Sequence, residues 1–260
     1  MLVYPQLTSG ALGQFPMVRR RRARTIVNSA ADGSSVKLGD PGAAGTEWQL
    51  AYTGLSDTEL AALQQFFLAT EGSLNGFTFL DPAANLLAWS EVLNDSAWSA
   101  DPQLTLQGSV ADPVGGTNGW QLSNAGAAAQ SLTQTLNAPA GYLYCFSLYV
   151  RAAQAGAITL GVGTNQAARA VGTAWTRIAA VGSGAVNGAS IALGIEVPAG
   201  SAIDVFGPQA EAQGTASLYQ TSTTGGVYEN ARFRDDVLSF TTQAANRNSA
   251  TVNIFYASHL

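Results

Sequence analysis

The chain is 260 residues long, 47% hydrophobic and only 11% charged, with a net charge of −5. A typical soluble protein is about 25% charged, so the surface is built from small and neutral residues and is poor at repelling copies of itself. No apolar run reaches the roughly 18 residues of a membrane span, no leader pattern opens the chain, and the single Cys145 excludes an internal disulfide.

The charge is segregated. Residues 1–37 hold six basic residues and one acid, residues 38–150 hold ten acids and no Lys or Arg, and residues 151–260 balance six against six. A basic arm (Arg19, Arg20, Arg21, Arg22 and Arg24) beside an acidic body suggests head-to-tail contact between copies. Nucleic-acid binding and a merely solvated arm are the alternatives.

In chain order, residues 1–18 lack periodicity and read as an extended arm punctuated by Pro5, Gly10, Gly13 and Pro16. Period-two alternation then marks strands at Arg24–Asn28, at Val36 and Leu38, and most clearly at Trp48, Leu50 and Tyr52, with Asp40-Pro41-Gly42 as a break. A helix is expected over about 56–71. Ser56 and Glu59 form a capping box, Leu55 and Leu60 a hydrophobic staple, and Leu60, Leu63, Phe66 and Phe67 an apolar stripe that Gly72 ends. Phe77 and Phe79 make the next strand, stopped at Asp81-Pro82.

From Asn85 the texture changes to short strands and recurrent glycines. Tyr142 to Val150 alternates as one long strand that carries Cys145 into the core, and Thr173–Val181, Ile191–Val197 and Ile203–Phe206 alternate as well. Gly161-Val162-Gly163, Gly182-Ser183-Gly184 and Pro198-Ala199-Gly200 read as turns, so this stretch is an antiparallel sandwich. Near Val227 the pattern changes again. Phe233, Val237 or Leu238, and Phe240 make one strand, and Thr251–Ala257 another. Two terminal strands are not stable alone, so the first module pauses at Pro82 and resumes near Val227. The expected domains are 1–82 plus 226–260, a small β domain with one helix, and 83–225, an inserted β-sandwich; the fold class is mainly β.

Catalytic constellations are sparse. The only histidine is His259, beside the C-terminus, which removes a Ser-His-Asp triad, a Cys-His pair and a histidine-rich zinc site. Gly161-x-Gly163 lacks the third glycine of a dinucleotide fingerprint. Asp235-Asp236 point to opposite faces if they lie in a strand, while Glu91 with Asp95, or Glu196 with Asp204, need the fold to converge. No cofactor and no metal is expected. Flat aromatic faces stack on sugar rings, and Trp98 and Trp120, set among small or polar residues, are the candidate glycan-binding residues; a core role is the ordinary alternative for a large aromatic.

Two resemblances attach to these residues. Val18-Arg19, Gly45-Thr46-Glu47-Trp48-Gln49-Leu50, Leu63-Gln64-Gln65-Phe66-Phe67, Gly72 and Phe77-Thr78-Phe79-Leu80-Asp81-Pro82, closed by Arg232-Phe233-Arg234-x-Asp236 and Val252-Asn253-Ile254, resemble the distal and minor tail proteins of long-tailed bacteriophages, such as the lambda minor tail protein M. Asn85-Leu86-Leu87-Ala88-Trp89-Ser90-Glu91, Trp98, Phe146–Ala152, Trp175-Thr176-Arg177 and Phe206-Gly207-Pro208-Gln209-Ala210-Glu211 are similar to a carbohydrate-binding-module-like jelly roll found in phage structural proteins. Gly-Pro-Gln-Ala-Glu departs from that module's usual end.

The first resemblance implies a non-enzymatic virion protein, assembled in the host cytoplasm. It would form a homo-oligomeric ring, a hexamer or a trimer, that joins tail tube to tail-tip proteins with DNA passing through the lumen as cargo. The arginines would then sit at subunit interfaces. The second implies, as an alternative, a host-surface polysaccharide-binding adsorption protein acting through the sandwich.

Overall fold

The computed structural model describes residues 2–258, so His259 lies outside the described residues. The chain divides into two units: Met1–Thr8, Gly13–Phe79 and Tyr228–Leu260 form the first, and Ser9–Leu12 with Leu80–Val227 form the second.

The first unit begins with a long antiparallel hairpin, β1 (Val18–Ser29) against β2 (Ser35–Leu55). The expected break at Asp40-Pro41-Gly42 is instead an irregularity inside one 21-residue strand. The register slips between Arg22 and Arg24, so that residues 41–44 stand opposite Ala23 alone on β1. Pro41 has no N–H to give a ladder, so a bulge is where a strand tolerates it. Every residue of β1 is exposed.

The helix α1 (Asp57–Ala69) forms where its cap predicts. The Ser56 hydroxyl accepts from the Glu59 amide, the Glu59 carboxylate accepts from the Ser56 amide, and Leu60, Leu63 and Phe66 are buried. Each such side chain contributes about 1.5–3 kcal/mol on burial. Phe66 packs into an aromatic cluster with Tyr4, Phe77 and Phe233, meeting Phe77 edge-on at 5.0 Å and Tyr4 at 5.8 Å. The Tyr4 and Tyr52 hydroxyls bond each other at 2.8 Å inside this core. β3 (Phe77–Leu80) then ends the first stretch of the unit.

The second unit is an antiparallel β-sandwich. Its strands are β4 (Ser99–Ala100), β5 (Leu104–Val110), β6 (Gly119–Asn124), β7 (Gln130–Leu136) and β8 (Tyr144–Ala152). They continue as β9 (Gly156–Val162), β10 (Asn165–Val171), β11 (Thr176–Gly182), β12 (Ile191–Val197) and β13 (Ala202–Glu211). One sheet has the order β10-β9-β12-β7-β4 and the other β11-β8-β13-β6-β5. Alternation decides which side chains face inward: Leu132, Leu160, Val162, Leu193 and Ile195 from one sheet, and Tyr144, Phe146, Leu148, Val150 and Val205 from the other, all fully buried. Tyr142, expected inside the long strand, precedes it in a turn whose amide bonds the Pro139 carbonyl. Gly10 has φ of +80°, and a Cβ there would lie 2.6 Å from Leu143 Cδ2, so only glycine fits beside that side chain.

The chain returns to the first unit through β14 (Val227–Phe233), β15 (Ser239–Ala244) and β16 (Arg247–Ala257), completing the sheet β1-β2-β16-β14-β3, with β15 on β16. The single strand expected over Phe233–Phe240 is two. Between them Asp236 accepts the Ser73 amide at 2.8 Å and hydroxyl at 2.7 Å, and Asp235 accepts from Asn253 Nδ2 at 3.2 Å. Those bonds turn the chain out of the strand. The fold is mainly β with one helix.

Candidate functional site

The outer face of the β10-β9-β12-β7-β4 sheet carries a trough. Register places Gln166 opposite Gly161, Gly161 opposite Gly194, Gly194 opposite Thr133, and Thr133 opposite Ser99. A second row beside it runs Ala168, Thr159, Glu196 and Ser131. With no Cβ on the two central glycines, bare backbone forms the floor of a depression of about 140 Å³, lined by Ser131, Thr133, Gln166 and Glu196 among others.

Neither Gly161 nor Gly194 has a positive φ, so backbone conformation does not call for glycine at either position. Space does. A Cβ on Gly194 would lie 2.8 Å from Thr133 Cγ2, and one on Gly161 would lie 3.1 Å from the Gln166 amide oxygen. Among the described residues the Gln166 amide and the Glu196 carboxylate have no hydrogen-bond partner, and Thr133 makes only a long 3.4 Å bond to the Ser99 carbonyl. Hydroxyls, an amide and a carboxylate line a backbone floor. This is chemistry for a flat ligand rich in hydroxyl groups.

Catalytic pairing is a different matter. Glu196 faces outward on this sheet, and Asp204 faces outward on the other, where Arg151 Nε bonds it at 2.8 Å. The carboxylates of Asp235 and Asp236 are bound to different partners. Among the described residues no group of three or more His, Cys, Asp or Glu is placed to hold a metal ion.

The sequence-expected aromatics lie elsewhere. Trp98 is 7% exposed, and its Nε1 donates to the Trp89 carbonyl at 3.1 Å, so its ring faces the interior. Trp120 is half-buried; its Nε1 donates to the Glu91 carbonyl at 3.0 Å and its ring covers Gly108. Trp175 is half-buried under the Arg151 guanidinium, 4.8 Å from the ring centre. None of the three lines the trough.

The five arginines fall into two groups. Arg19 bonds the Tyr228 hydroxyl at 3.0 Å and stacks over Trp48, Arg22 pairs with Glu47 at 2.8 Å, and Arg24 pairs with Asp40. Arg20 and Arg21 stay exposed on β1.

The jelly-roll motif residues prove to be a clasp. Asn85 is 2% exposed. Its amide nitrogen donates to the Pro208 and Gln220 carbonyls, and its oxygen accepts from the Leu87 and Ala210 amides. Gln209 holds Gln220 and Leu218, Glu211 holds the Ser217 amide, and Glu91 accepts from the Tyr219 hydroxyl at 3.1 Å. Burial pushes the Tyr219 hydroxyl pKa well up. These bonds tie the entry of the sandwich to its exit. Gly207, at φ +60°, brings the backbone to within contact of the Tyr219 ring, and Pro208 supplies its carbonyl to Asn85, so the departure at Gly-Pro-Gln-Ala-Glu is absorbed without losing the tie.

The trough residues themselves escape sequence reading. Gly161 looks like half of a turn, yet it is the last outward-facing residue of β9, with Gly163 alone at positive φ. The available signal was glycine at an outward position of two strands whose inward positions are apolar and alternating.

No family model matches the sequence, and no curated protein matches it. Solved structures do. The enzymatically active domain of bacteriophage CBA120 tailspike protein 4 matches at 15% identity and a TM-score of 0.37, over 51% of this chain and 22% of that one. The CBM22-1 xylan-binding domain of Paenibacillus barcinonensis Xyn10C matches at 14% and 0.40, over 51% and 94%. A further xylan-binding domain from CBM 22 matches at 15% and 0.43, over 53% and 100%. This chain thus spans about a fifth of the tailspike chain and nearly all of either xylan-binding domain.

Proposed function

We propose that this chain is a polysaccharide-binding protein of a phage virion, engaging host-surface glycan through the trough on the sandwich, and that it has no catalytic task. The observation that carries this reading is the Gly161–Gly194 pair. Two glycines that the backbone does not require keep a floor open beneath unengaged polar side chains. At Gly161 only the flexible end of Gln166 stands in the way of a side chain, and the sheet would gain a cross-strand pair from one, so a bare position there favours a ligand. The test is retention of the full chain on a panel of immobilised polysaccharides. Binding by the native chain with loss in Gly161→Val supports the reading, and equal binding by both contradicts it.

A second reading, a structural ring joining tail tube to tail tip, is favoured by the hairpin of the first unit. Ile26, Val27, Val36 and Leu38 are 40, 51, 58 and 51% exposed there. A two-stranded ribbon is marginally stable in water by itself, and apolar side chains on both its strands favour a covering partner. That partner would be another copy, with tail-tube and tail-tip proteins at the ring's two ends. The two readings are compatible, since each uses a different unit.

A further inference from the structure

The trough's register and charge narrow its ligand, on the premise that it binds polysaccharide at all. Its central row, from Gln166 to Ser99, crosses all five strands. At about 4.8 Å between strands, that row is roughly 19 Å long, which suits a run of linked sugar rings laid across the strands better than a single sugar.

The one ionisable group in the two rows is a carboxylate, Glu196. Glu196 stands in the second row opposite Ser131. Asp101 lies just beyond, its Oδ2 accepting the Ser131 amide at 2.7 Å. The bordering cation, Arg169 on β10, gives its Nε to the Ala179 carbonyl at 2.7 Å and its Nη1 to the Ala168 carbonyl at 2.9 Å, which ties it to the edge of the sheet. An anionic sugar placed on the floor would meet these carboxylates within the Debye length of about 8 Å at physiological ionic strength, where screening is weak. Hydroxyl groups meet the opposite situation. A carboxylate only accepts hydrogen bonds, and those it accepts are stronger than neutral ones.

We infer that the trough takes a neutral polysaccharide, laid across the strands over Gly161 and Gly194, and rejects polymers bearing uronate, sialate or phosphate. The test is affinity electrophoresis of the full chain through gels containing neutral polymers (a β-glucan, a mannan, a galactan) or acidic ones (alginate, polygalacturonate). Glu196→Lys and Gly161→Val run beside it. The expected result is retardation of the native chain by at least one neutral polymer and by no acidic one, gain of acidic retardation in Glu196→Lys, and loss of neutral retardation in Gly161→Val. If acidic polymers retard the native chain and Gly161→Val abolishes this, the trough binds glycan but the charge inference is overturned. If neutral retardation survives Gly161→Val, or if no polymer retards the native chain, the trough reading falls and takes the inference with it.

Discussion

Gly161 on β9 and Gly194 on β12 stand directly opposite each other, both facing outward and neither at a positive φ. Two substitutions separate their roles. A Cβ at Gly161 meets only the mobile end of Gln166, so Gly161→Val keeps the fold while filling the floor. Glycan binding is expected to fall at least tenfold, or by roughly 1.4 kcal/mol, with the midpoint of urea unfolding nearly unchanged. Gly194→Val drives a Cβ toward Thr133 Cγ2 and the Leu132 carbonyl, and overpacking of this kind costs about 1–3 kcal/mol. Equal unfolding midpoints for the two variants would contradict this account of the floor.

Trp98 is assigned to the core. Trp98→Phe removes one of the two bonds to the Trp89 carbonyl, which keeps the Val92 amide, so the lost bond costs about 0.5–1.5 kcal/mol. Chemical denaturation should show this loss, while affinity for any bound polysaccharide stays at the native value below the transition. A binding defect in the folded variant would return Trp98 to the ligand.

Glu59 makes the first unit acid-sensitive. Burial raises its pKa, but bonds from the Thr8 hydroxyl, the Ser56 amide and hydroxyl, and the Thr8 amide outweigh burial and hold it at about 2, against an ordinary 4.5. The folded state therefore binds fewer protons than the unfolded chain between those values. The stabilisation is present above pH 4.5 and is lost as pH falls through about 2. Glu59→Gln should lower Tm at neutral pH and flatten the dependence of Tm on pH between 4.5 and 2. An unchanged slope in calorimetry would show that these bonds do not tune the carboxyl.

The arginines divide by partner. Arg22 and Arg234 share the Glu47 carboxylate, which is 9% exposed, so Glu47→Gln should destabilise the chain wherever it assembles. Arg20 and Arg21 are exposed on a strand with no covering layer. Replacing both with Ser should leave the unfolding midpoint unchanged and reduce any assembly seen by light scattering at low salt. Native assemblies from that double variant would remove the hairpin charge from the interface.

What was legible follows from how local the signal is. The α1 cap was readable because Ser56 and Glu59 satisfy each other within one turn. Trp48, Leu50 and Tyr52 were readable because a sheet buried on one face imposes a period of two. The division of Phe233–Phe240 into β14 and β15 was not, because Ser73, more than 160 residues away, holds Asp236. The stretch from Asn85 was legible as an antiparallel sandwich, yet the residues around Asn85 close the fold and leave the candidate site to others. Gly161, Gly194, Gln166 and Glu196 meet only through the pairing of three strands, and no single segment carries that pairing. Trp98 and Trp120 are sequence candidates because small or polar residues flank a flat aromatic face, whereas here both indole N–H groups are bound to backbone carbonyls.

The most direct measurement is an amide ¹⁵N spectrum of the full chain titrated with a fragment of whichever neutral polysaccharide it retains. The largest shifts are expected at Gly161, Gly194 and Thr133, with the Gln166 and Ser131 amides following. Shifts centred on Trp120 or Trp175, with the two glycines unmoved, would contradict it.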